Sequence, residues 1–260
     1  MVAKLDRIGK VGYNNFGSKM VIVGYRKAMD IDVYFPEYNW TFKNATYSTF
    51  KKGNIKCPYE RRYCGIGYIG EGKYNVKENG KTTKCYDTWR SMLMRCYNEK
   101  CIYKNPTYID CKVCNKWHCY QNFAEWYYKN YYEVDGERMT LDKDILHKDN
   151  KIYSSENCVF VPNNINVLFT KSDKARGKYP IGVTYHKQAR KFMTQCNVYD
   201  FKENKTKRIY LGSYNNLTEA FEVYKRFKEK YIKEVANYYK EQIPTKLYDA
   251  LYNYEVDIND

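Results

Sequence analysis

Two aspartates and an asparagine set the chemical possibilities of this chain. In LDKDILHKDNKIYSSENCVFVPNNIN, residues 141–166, Asp142 and Asp144 end a short alternating segment, and Asn166 stands one turn past Pro162. Convergent oxygen ligands of this kind suit a hard divalent cation, Mg²⁺ or Mn²⁺, which polarises a phosphoryl oxygen and activates water. His147 is the one histidine of the polar loop between them. For Asp144 and His147 a solvated loop is the competing reading.

Positioning these groups requires strand, loop, strand and helix. Val159, Phe160 and Val161 have the β-branched and aromatic character of a buried strand. Pro162 suits the start of a helix, where its missing N–H has no partner to lose. The expectation is a compact ββα unit.

A second constellation is built on sulfur. Cys111 and Cys114 have CxxC spacing, and Cys96 and Cys158 fall at the end of the preceding helix and at the start of the second strand. Four such thiolates would hold a structural Zn²⁺; the alternative is reduced thiols packing as small hydrophobes. The GxGxxG at Gly65, Gly67 and Gly70 runs into the polar GKYNVKENGKTTK rather than a helix, so it does not read as a dinucleotide fingerprint.

With 45 Lys and Arg against 30 acidic residues, the 260-residue chain carries a formal charge of +15, which favours a polyanionic partner. Its 31 tyrosines can stack on bases or fill cores. No run approaches eighteen apolar residues, and MVAKLDRIGK lacks the apolar centre of a secretion signal. These features set the expectation of a cytoplasmic protein without a membrane span, whose ten cysteines are thiols or metal ligands rather than disulfides.

Residues 9–58 alternate apolar and polar positions and predict a small β module, with DNA contact and simple packing as its alternative roles. YDTWRSMLMRCY places Tyr86, Trp89, Leu93 and Cys96 on one helical face, and Trp117, Tyr120, Phe123 and Tyr127 recur likewise in a second helix, with His118 beside them as a structural or solvent-facing histidine. Beyond a basic linker, residues 180–214 read as three strands. Residues 216–240 read as an amphipathic helix capped by Asn216, with Leu217, Ala220, Phe221, Tyr224, Phe227, Tyr231 and Val235 on its buried face. From Lys174 to Gly212 ten basic residues face two acidic ones, the densest basic patch in the chain. Lys174, Arg176, Lys178, Lys187, Arg190, Lys191, Lys207 and Arg208 are its candidate contacts to double-stranded DNA, since a three-stranded sheet can enter the major groove.

Two resemblances rest on these residues. Gly182, Val183, Leu211, Gly212, Tyr214, Glu219 and Ala220 match the pattern of the APETALA-type (ethylene-response-factor) DNA-binding domain, over about a fifth of the chain. The block from YDTWRSMLMRCY through Trp117 and LDKD to YSSENCVFVPNNIN resembles the phage-encoded, free-standing HNH homing endonucleases. That resemblance implies a ββα-metal core in which Asp142 is the first metal ligand, Asn157 orients the loop and Asn166 is the helix ligand. It also implies a general-base histidine where this chain has Lys143.

Three readings follow from that departure. His147 reaches the site as base; Lys143, protonated at neutral pH, stabilises the charge developing on phosphorus; or the site is inactive and the protein binds DNA without cutting it. The expected class is α+β, in three parts: a β module (1–60), a helical plus ββα-metal nuclease module (61–172), and a sheet-and-helix DNA-binding domain (173–260). The expected function is a phage or mobile-element endonuclease hydrolysing double-stranded DNA, with a monomer favoured. The rivals are an inactive DNA-binding regulator on the same scaffold, and an RNA-binding or host-defence-blocking phage protein.

Overall fold

The computed structural model describes residues 6–169, 178–201, 203 and 205–258, in two compact units of mixed α and β structure. The first unit runs to Lys129 and includes Lys151–Ser154. Its sheet is antiparallel and in sequential order, β1 (Val11–Tyr13), β2 (Lys19–Lys27), β3 (Asp30–Phe35) and β4 (Trp40–Ala45). Period-two alternation puts Met20, Ile22, Ile31, Val33 and Phe35 on one face, where they bury against Phe50 of helix α1 (Tyr47–Lys51) and against Ile55 and Cys57. On the exposed side Arg26 bridges Asp30 and Asp32.

The first unit continues through a small hairpin, β5 (Lys77–Glu78) and β6 (Lys81–Thr82), into helices α2 (Lys84–Tyr97) and α3 (Glu99–Lys104). Thr83 caps α2 by accepting from the Tyr86 amide. Trp89 and Leu93 are buried as their spacing predicts. Strand β7 (Lys112–Val113) pairs in parallel with β9 (Ile152–Tyr153), and α4 (Tyr120–Asn130) follows. Trp117 belongs to a 3₁₀ turn before α4 rather than to the helix, although it is buried as expected. The glycines of the GxGxxG match have packing explanations. A side chain on Gly67 would collide with Leu93 and Trp89, and Gly65 and Gly70 take left-handed backbone angles of +71° and +73°.

The second unit contains Asn130–Asn150 and Ser155 onward. Strands β8 (Met139–Asp142) and β10 (Val159–Pro162) are antiparallel, with Asp142 opposite Val159 and Met139 opposite Pro162. Helix α5 (Asn163–Asn166) is a single turn that passes into a 3₁₀ turn ending at Phe169. Three antiparallel strands follow, β11 (Val183–His186), β12 (Lys191–Asp200) and β13 (Lys205–Tyr214), then α6 (Leu217–Tyr239) and α7 (Thr245–Tyr252). Asn216 caps α6 by accepting from the amides of Thr218 and Glu219.

Helix α6 closes two cores. Its first half buries Ala220, Phe221 and Tyr224 with Val183 and Cys196 of the sheet. Its second half buries Tyr231, Ile232, Val235, Ala236 and Tyr239 with Ile145, Val159, Val161 and Ile165 of the hairpin region and with Leu247 and Leu251 of α7. Each buried Val, Ile, Leu or Phe among them contributes about 1.5–3 kcal/mol on leaving water, and this shared burial spans the boundary expected near residue 172. The hairpin and the C-terminal sheet are one unit, and most of the helical segment before the hairpin belongs to the other. No helix among the described residues is long and apolar enough to cross a membrane.

Candidate active site and nucleic-acid interface

Alternation along the hairpin strand determines where its polar groups go. Leu141, Lys143 and Ile145 are buried, whereas Asp144 is exposed and Asp142 half-buried. Asp142 sits where β8 ends. Its Oδ1 accepts from the amides of Asp144 and Ile145, at 2.7 and 2.8 Å, and so turns the chain into the loop. Oδ2 accepts no hydrogen bond among the described residues. Burial pushes the Asp142 carboxyl above the ordinary range, and the two amides offset part of that shift.

Lys143 lies beneath the loop and is only 5% exposed. Its Nζ donates to the Asn150 carbonyl at 2.9 Å and pairs with Asp144. Asn150 returns the contact by donating from Nδ2 to the Lys143 carbonyl at 2.8 Å, and its amide donates to the carbonyl of His147. Asn157 donates to Oδ1 of Asn150 at 3.0 Å. A lysine and two asparagines therefore fix the loop crest from below. Asn150, which the sequence reading did not single out, is the hub. A clue was available in the adjacent Asp149 and Asn150, residue types that favour turns; Asp149 takes a φ of +62°.

His147 is exposed on the crest, and its side chain makes no hydrogen bond among the described residues. Asn166 ends the one-turn α5, which packs on both β8 and β10. Cys96, Cys111 and Cys114 lie in the first unit and Cys158 in the second. Among the described residues no group of three or more His, Cys, Asp or Glu side chains is gathered as metal ligands. His118 is half-buried with Nε2 3.0 Å from the Val113 carbonyl, and burial lowers its pKa, as befits a structural histidine.

The C-terminal sheet presents one face to α6 and the other outward. Register puts Thr184, Lys191, Met193, Asn197, Arg208, Tyr210 and Ser213 on the outer side. Lys191, Asn197, Arg208 and Tyr210 are exposed there, and Lys187 and Arg190 project from the β11–β12 turn. Lys178 is exposed beside the ring of Tyr179. Lys207 is on the opposite side, paired with Asp200 at 2.7 Å and Glu203 at 2.6 Å, so its charge is already engaged. Lys174 and Arg176 fall outside the described residues.

The remaining motif positions have structural explanations. Gly182 takes a φ of +78° against the Tyr224 ring, leaving no room for a side chain. Gly212 lies opposite Thr194 at a bulge, after which Tyr210 faces Gln195. Tyr214 donates to the Leu211 carbonyl across that bulge. Thr194 reaches down to the Ala220 carbonyl of α6. Comparison with family models, curated proteins and solved structures returns no match to this chain.

Proposed function

We propose that this protein binds double-stranded DNA through the outer face of its C-terminal sheet and hydrolyses phosphodiester bonds at the hairpin end marked by Asp142. The observation that carries the reading is the sorting of charge on the sheet. Lys187, Arg190, Lys191 and Arg208 are exposed at the outer face and its turn, while Lys205 and Lys207, on the other side, are paired with carboxylates. Outward Lys and Arg on a sheet suit phosphate contact, and Arg208 has the geometry for a guanine edge.

At the hairpin, Asp142 suits a hard cation. One oxygen is held rigid by two amides, the other is uncommitted among the described residues, and a nearby positive charge would relieve the cost of burying the carboxylate. A divalent ion there would supply Lewis-acid polarisation and water activation. Asn166 and Asp144 are the further oxygen donors proposed for it, and His147, exposed on a crest fixed by Lys143, Asn150 and Asn157, is the candidate to accept a proton. Zinc at Cys96, Cys111, Cys114 and Cys158 is a separate proposal, tested by metal analysis of chelator-washed protein.

The second reading, DNA binding without cleavage, is favoured by Lys143, whose ammonium is committed to Asn150 and Asp144. Incubating supercoiled DNA with the protein and Mg²⁺, Mn²⁺ or EDTA separates the two. Nicking that requires metal supports the nuclease, retained binding with no nicking under any metal supports the regulator, and preference for structured RNA over duplex contradicts both.

A further inference from the structure

Strand β11 pairs with residues 191–194 of β12, and the Gln195 amide donates to the Gly182 carbonyl at 3.0 Å; beyond Gln195 that edge of β12 has no strand partner among the described residues. Along this edge a cleft of about 610 Å³ opens, floored by α6 and flanked by α5. That volume is in the range of small-molecule sites. Asn163, Asn164, Gln195, Asn197 and Arg208 give it amide and guanidinium groups, while Leu168, Ile181 and the Tyr224 ring give it an apolar wall.

Lys228 also lines the cleft, and it stands where helical periodicity calls for an apolar residue, four positions after Tyr224 and four before Ile232. It is only 9% exposed. Among the described residues its ammonium has neither a carboxylate partner nor a hydrogen bond. The Tyr231 ring centroid lies 5.9 Å away, and the Cys196 thiol is the titratable group that faces it. Desolvation lowers its pKa. The stem is buried while the ammonium reaches the cleft, since no fully buried side-chain nitrogen among the described residues lacks a partner. A partly desolvated cation costs stability unless something pairs with it, and a methionine could fill the same position without that cost. Arg208, on the outer face of β13 with Nε 3.4 Å from the Asn197 Oδ1, adds a second cation at the outer rim of the cleft, across the β12 edge from Lys228.

We propose that this cleft binds a small phosphate monoester carrying an apolar or aromatic body, with Lys228 and Arg208 holding the phosphate and the Tyr224 side holding the body. A phosphate matches the two cations and the amide donors. The volume and apolar wall require more than inorganic phosphate. Such a ligand would act as an effector of the C-terminal sheet, since β12 and β13 both line the cleft and carry its outer face.

Isothermal titration calorimetry of the full chain with deoxyadenosine monophosphate, deoxyadenosine and inorganic phosphate tests the assignment without DNA or divalent metal, so its outcome is independent of the nuclease reading. The expected result is saturable binding of the monophosphate with Kd at or below about 1 mM, at least about tenfold tighter than either fragment. Lys228→Met should lose about tenfold or more in affinity while its melting temperature is unchanged or raised, and Lys228→Arg should recover part of the loss. Arg208→Ala, an exposed change, should weaken the monophosphate without altering stability. Absence of saturable binding to about 10 mM, equal binding of the free nucleoside, or undiminished binding by Lys228→Met would overturn the proposal.

Discussion

At the scale of single residues, Lys143 explains how a hairpin can depart from the pattern it resembles. Where the resemblance drawn from the sequence implies a histidine acting on substrate, this lysine turns inward and anchors the loop that carries His147. The departure was visible in the sequence, and so was a clue to its consequence. Leu141, Lys143 and Ile145 share strand parity, so a residue between two buried aliphatics was bound for the interior. What pattern alone lacked was the partner, because the Asn150 carbonyl comes from a loop whose course depends on long-range contacts. Lys143→Met should therefore lower unfolding free energy by about 1–2 kcal/mol, the cost of a lost charged hydrogen bond. The check is urea denaturation, in which the midpoint should fall with the slope unchanged.

At the scale of elements, periodicity read the sheets and helices well because one face of each is buried. It failed where a residue serves something other than its own element. Lys228 sits in the apolar stripe of α6, and α5 is one turn long because packing on β8 and β10 rather than helix propensity sustains it. Gly182 tests the sheet-to-helix junction. Gly182→Ala must adopt a φ of +78° and displace Tyr224, which should cost about 3 kcal/mol of stability, measurable as a lowered melting temperature for the second unit.

The N-terminal sheet offers a test by pH. The Arg26 guanidinium, aided by the Asn44 amide, holds the Asp32 carboxyl down to about 2 despite some desolvation. A depressed folded-state pKa contributes stability that is present above the unfolded value of about 3.9 and is lost as pH falls toward about 2. Asp32→Asn should therefore be less stable than wild type at pH 7, and the two should converge as pH approaches 2. A difference independent of pH would remove the ion pair from the account.

At the scale of the molecule, the +15 charge was legible at once, but its distribution was not. The basic run contains residues of opposite strand parity, and only register reveals that Arg208 faces out while its neighbour Lys207 is paired with Asp200 and Glu203. That α6 serves two cores was likewise hidden, since it depends on contacts from distant parts of the chain. Fluorescence anisotropy with duplex DNA across a salt series should show Lys191→Ala and Arg208→Ala each lowering affinity and reducing the salt slope by about 0.9. Lys207→Ala should leave the slope nearly unchanged.

The claim on which the functional account depends most is that Asp142 holds the ion that makes the hairpin cut. It is tested most directly by comparing wild type with Asp142→Ala on supercoiled DNA in Mg²⁺ or Mn²⁺, with duplex affinity measured in parallel. Wild type should nick only with metal present, and the variant should lose nicking while binding DNA as before. Equal nicking by the variant, or no nicking by wild type with any divalent ion, would contradict the assignment.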